Sequence, residues 1–117
     1  MAPDGEVTVL KFGGSLLARA RPLLAEVRAW GGRCLVVPGG GPFADLVRET
    51  QARQGLSDEA AHWMAVAACE QYAFLLADLG GLPITDRLAA PDGQAVFAPH
   101  RLLRERDPLP HSWAAAI

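Results

Sequence analysis

Two short apolar runs, Val7 to Phe12 and Cys34 to Val37, each pass directly into a glycine cluster, Gly13-Gly14 and Gly39-Gly40-Gly41, and each cluster is followed by a helical pattern. This order constrains the fold more than any other feature of the chain. A run that is apolar at successive positions is buried on both faces, and a strand-helix-strand-helix alternation predicts parallel strands joined by right-handed crossovers. Leu23, Leu24, Val27 and Trp30 recur at helical spacing, with Pro22 suited to the first helical position and Gly31-Gly32 as the stop. Pro42 opens a second helix, in which Phe43, Leu46 and Val47 face inward until Gly55. Ser57 is the expected N-cap of a third helix reaching about Leu79, with Asp58 and Glu59 complementing its positive end.

The stripe of that third helix, Ala61, Met64, Ala65, Ala68, Tyr72, Leu75, Leu76 and Leu79, is wider than one sheet face covers. Packing on the sheet accounts for most of it, and the surplus width predicts contact with a second subunit through residues 57–80. Further on, Leu82 to Thr85 and Ala95 to Ala98 read as strands around an Asp92-Gly93 turn, and Pro99 to Trp113 is proline-punctuated and partly helical. Trp113, a large apolar side chain, is expected to pack on something. The whole reads as an α/β fold, a three-layer αβα sandwich on a mainly parallel sheet, in a single domain over residues 1–117.

A chain of 117 residues, half of them hydrophobic, can bury a real core. Its net charge of -2 and scattered arginines argue against a nucleic-acid or anionic-membrane partner, either of which needs a basic face. The longest apolar stretch is interrupted by His62, Glu70, Gln71 and Asp78, which argues against a membrane span, and the start of the chain lacks a signal-peptide pattern. A cytoplasmic protein is expected. Cys34 and Cys69 read as buried small hydrophobes, and His100 and His111 lack the spacing of a metal pair, so no metal site is expected. His62 reads as a solvated helix residue, and Asp45 as a complement to the dipole of the second helix.

The chemistry lies in the two turns. Glycines let backbone N–H groups converge on one concave site, and a helix starting just afterwards adds its positive end. Lys11, the only lysine, sits at the mouth of the first turn. If the two strands are parallel neighbours, both turns leave the same carboxyl edge of the sheet and face one ligand. Backbone donors on two sides with one mobile cation between them suit phosphoryl transfer, which depends on positioning and charge neutralisation. No Gly-Lys-Ser/Thr follows either cluster, so a Walker loop is excluded, and Ser15 is not in a hydrolase elbow. The rival is a dinucleotide fingerprint, Gly39-x-Gly41-x-x-Ala44, whose ribose-binding acid would have to be Asp58 or Glu59.

Val9-Leu10-Lys11-Phe12-Gly13-Gly14-Ser15 and Val36-Val37-Pro38-Gly39-Gly40-Gly41-Pro42-Phe43-Ala44-Asp45 resemble the amino acid kinase family in wording, order and spacing. Within it, the subgroup the chain resembles is the small archaeal-type aminomethylfuran phosphate kinases of methanofuran synthesis, to which Ser57 to Leu79 and Leu109-Pro110-His111-Ser112-Trp113 are also similar. The resemblance implies ATP-dependent phosphorylation, with Mg2+, of a small-molecule acceptor. It places Lys11 on the transferring phosphoryl group as the catalytic cation. Gly13, Gly14, Ser15, Gly40 and Gly41 would hold the nucleotide phosphates, and Gly39, Gly40 and Gly41 the acceptor. Family members continue past the Ser-Trp into a second half that carries most of the nucleotide site. This chain is therefore expected to be a truncated, amino-terminal lobe, and half a site would lose much of the orientation that in-line transfer requires. Three readings follow: a kinase-like phosphotransferase, inactive if truncated; a dinucleotide-binding module; and a non-catalytic remnant or subunit of a split kinase.

Overall fold

The structure, a computed structural model, describes residues 6–106. Its strands β1 (Thr8–Phe12), β2 (Cys34–Pro38), β3 (Ile84–Thr85) and β4 (Gln94–Phe97) form one sheet in the order β1-β2-β4-β3. Every pairing is parallel. The helices are α1 (Ala20–Trp30), α2 (Gly41–Gln54), α3 (Asp58–Gly80) and α4 (His100–Glu105), and a 3-10 stretch, Gly14–Arg19, joins β1 to α1.

The two-residue period of the strands sorts their side chains onto two faces. Leu10, Phe12, Cys34, Val36 and Val96 join Leu24 of α1 and Tyr72 and Leu76 of α3 in the main core. Leu35, Ala95 and Phe97 cluster on the opposite face, against Leu102 of α4. This is the α/β architecture that the alternation predicts, a parallel sheet flanked by helices, with a thick helical layer on one face and the short α4 on the other. Helix α2 does not lie on the sheet. It packs against α3 through Ala44, Val47, Ala61, Ala65 and Ala68, whose small side chains let the two backbones approach.

Local signals set the helix ends. Ser57 caps α3 by accepting a hydrogen bond from the Ala60 N–H at 3.1 Å, a contact worth about 1 kcal/mol. Gly31, Gly55 and Gly81 close α1, α2 and α3 with φ of 74°, 66° and 62°, the left-handed conformation that glycine adopts at little cost. Pro22 is not the first residue of α1. The helix starts at Ala20, and proline is accommodated within its first turn, where the N–H groups have no partner inside the helix.

The main corrections concern which side chains are buried. His62 is fully buried rather than solvated, with its ring edge-on to Trp63 at 4.7 Å. Helix α3 is enclosed by α1, α2 and the sheet, so Val66, Cys69 and Ala73, which share the His62 side, are buried too. Met64 and Leu46, expected inside, are exposed, because α2 packs mainly against α3 and its buried stripe is narrow. Both cysteines are buried free thiols, and burial pushes the Cys69 pKa up to about 11. Among the described residues no helix is long and apolar enough to cross a membrane. The expectations for His111 and Trp113 lie outside the described residues.

Candidate functional site

β1 and β2 are parallel neighbours with Lys11 opposite Val37 and Phe12 opposite Pro38, so both glycine turns leave the same carboxyl edge side by side. The ladder continues one step beyond the strands, the Gly39 N–H donating to the Phe12 carbonyl at 2.8 Å. The turns then touch. A Cβ on Gly14 would lie 3.0 Å from the Cα of Gly41, and a Cβ on Gly39 would lie 3.5 Å from the Cα of Gly13. The first of these is closer than a side chain ordinarily comes to backbone, so the absence of a Cβ at Gly14 lets the turns meet, while the second is an ordinary contact.

Between the turns lies a cleft of about 340 Å³, at the small end of the range for ligand sites. Lys11, Gly13, Gly14, Ser15, Gly39, Gly40 and Gly41, all the residues singled out from the sequence, line it together. Ala44, Asp45 and Arg48 of α2 complete the wall. Gly40 is right-handed, at φ -83° and ψ -23°, and Gly41 follows at φ +59°. A right-handed residue followed by one at positive φ points successive N–H groups into a common concavity suited to an anion. The start of α2 at Gly41 adds the positive end of its dipole. On the other wall, Gly14 and Ser15 open the 3-10 stretch, where first-turn N–H groups have no partner within the helix.

The charges are few. Lys11 is exposed at the rim, and Arg48 lies two turns along α2 with Nη1 2.9 Å from Oδ1 of Asp45. Asp45 thus holds an arginine and lines the cleft, rather than only complementing a helix dipole. The donor set, several backbone N–H groups with two cationic side chains, matches an oxyanion such as a phosphate. It does not match Mg2+ on its own, since Asp45 is the one carboxylate among the lining residues, and a hard cation takes several oxygen ligands.

The sequence did not mark out two residues that shape this site. Tyr72, which reads as core or interface, is fully buried on α3, yet its hydroxyl donates to the Gly13 carbonyl at 2.9 Å. A Cβ on Gly41 would meet the same ring at 2.9 Å. No local pattern could reveal a contact spanning 59 residues. Arg48 left a signal that could have been read, since Gly41, Asp45 and Arg48 follow the four-and-three spacing of one helix face. The dinucleotide alternative loses its ribose acid. After α2 comes α3 rather than a strand, and Asp58 and Glu59 form its first turn.

Comparison with known proteins bears on the family and the fold. The chain is 28% identical over 116 residues to a [5-(aminomethyl)furan-3-yl]methyl phosphate kinase of Methanocaldococcus jannaschii, an alignment covering 91% of this chain and 54% of the relative. Its fold is similar to that of uridylate kinase from Archaeoglobus fulgidus, with a TM-score of 0.60 and 21% identity over 79% of this chain and 49% of the other. The chain thus spans about half the length of these relatives. The description of the amino acid kinase family matches residues 6–99, the segment that carries both glycine turns and the whole sheet, and the chain belongs to that family.

Proposed function

We propose that this chain is the phosphate-cradling, amino-terminal lobe of an ATP-dependent kinase acting on a small acceptor that itself carries a phosphate. The observation that carries the reading is the convergence of two glycine turns, Lys11 and the start of α2 on one cleft. ATP, when bound, supplies the phosphoryl group. Lys11 neutralises charge on it as a mobile point charge, while Gly13, Gly14 and Ser15 donate from one wall and Gly40 and Gly41 from the other. Gly39 to Gly41 also face the acceptor. The named relative acts on a phosphate monoester, and Arg48 is a second cation on the α2 wall able to meet such a group. A Mg2+ ion would arrive on the nucleotide phosphates, since the described residues lining the cleft include one carboxylate only, Asp45. The chain spans about half the length of the relatives it matches, and the family resemblance places most of the nucleotide contacts in the other half, so turnover is expected only with that half present. Exposed Met64 and Phe74 on α3, with Leu46 of α2, give the lobe an apolar face for a second copy of itself.

The test is of binding. ATP raises the melting temperature of the chain and NADH does not, because the site holds phosphate and has no ribose acid. Lys11→Ala leaves the ligand-free melting temperature unchanged, since Lys11 is exposed, and weakens ATP binding about tenfold or more, the loss expected of one charged hydrogen bond. Stabilisation by NADH alone, or full ATP stabilisation of Lys11→Ala, would overturn the reading.

A further inference from the structure

We infer that Tyr72 is a positioning residue that aims the Gly14 N–H into the cleft; the inference rests on the phosphate-binding reading above. The Gly13 carbonyl accepts from the Tyr72 hydroxyl at 2.9 Å and from the Leu16 N–H at 3.2 Å. The Gly13–Gly14 peptide is trans, so its N–H points opposite to its carbonyl. Two donors that fix the carbonyl on the α3 side therefore turn the N–H the other way, and Gly14 lines the cleft.

This peptide needs an external hold. A glycine on each side leaves its plane with little steric preference, and a Cβ on Gly13 would meet nothing within 4 Å. Rotation of the plane would carry the N–H out of the cleft and break both hydrogen bonds to the Gly13 carbonyl. Tyr72 is a firm anchor for such a hold. It is fully buried, edge-on to Phe12 with centroids 6.4 Å apart, and packed against the bare backbone of Gly41. Burial raises the pKa of the phenol, which keeps it protonated and able to donate. One side chain thus sets the first turn through its hydroxyl and supports the second through its ring, so the spacing of the two walls is tied to a single residue of α3.

The experiment is a titration of the 117-residue chain with inorganic phosphate, followed by amide nuclear magnetic resonance, on the parent and on Tyr72→Phe. In the parent, the Gly14 and Gly41 amides shift together as phosphate binds. In Tyr72→Phe, phosphate affinity falls about fivefold, as expected for one lost hydrogen bond, and the Gly14 response disappears while the Gly41 response persists. A purely structural role would lower the melting temperature and leave both amide responses intact, which would overturn the inference. Absence of any response in the parent would overturn the phosphate site itself, and with it this inference. If Tyr72→Phe folds poorly, a ring-fluorinated tyrosine at position 72, whose phenol ionises nearer neutral pH, keeps the ring in place. Phosphate affinity then falls as that phenol loses its proton, and an affinity flat with pH relative to the parent would refute the role of the hydroxyl.

Discussion

At the second glycine turn the backbone itself demands glycine, since Gly41 has φ +59° and its missing Cβ is where the Tyr72 ring packs, whereas at the first turn Gly13 has φ -86° and open space around it. Two walls of one cleft are thus built differently. The second is fixed by its own conformation and by the start of α2. The first is held through the Gly13 carbonyl, by the Leu16 N–H nearby and by the hydroxyl of Tyr72, 59 residues away. Glycine clusters that look alike in sequence can therefore answer to different constraints, one on folding and one on donor orientation.

Substitutions by alanine can break this contrast. Gly41→Ala has the largest expected effect, because the left-handed backbone costs an alanine about 1–2 kcal/mol and the overlap with a buried ring adds about 1–3 kcal/mol. Chemical denaturation should show a loss of about 2–5 kcal/mol by these terms, and an unchanged midpoint would show that the second turn is not locked. Gly14→Ala is intermediate. Its Cβ would stand 3.0 Å from the Gly41 backbone, so the walls must separate, costing about 1–2 kcal/mol and weakening phosphate binding by more than the stability loss explains. Gly13→Ala should have the smallest effect on stability, within about 0.5 kcal/mol of the parent or slightly above it. If Gly13→Ala unfolded as readily as Gly41→Ala, the distinction between the walls would be lost.

A second contrast sets the two long helices apart. Helix α3 is buried along a broad face, and α2 only along a narrow stripe. Summing apolar positions could not separate them, because the third-helix stripe and the Phe43-Leu46-Val47 pattern both look amphipathic. Leu46 fell outside the core because α2 packs mainly against α3 and does not lie on the sheet. His62 fell inside because α3 is surrounded, although a histidine beside a capped and charged helix start reads as solvated.

Local patterns in the chain already specify the parallel α/β class, the element order, the helix stops at Gly31 and Gly55, and the placing of Lys11 beside a glycine turn. These follow from short-range physics: the period of apolar residues, the φ freedom of glycine and the needs of a helix start. Long-range packing alone sets the strand order with β4 beside β2, the contact between Gly14 and Gly41, the burial of His62, and the hydroxyl of Tyr72 on the Gly13 carbonyl. Each of these depends on where distant segments come to lie. Such placement is set by packing the whole core at once, so it leaves no periodic trace in any one stretch of the chain.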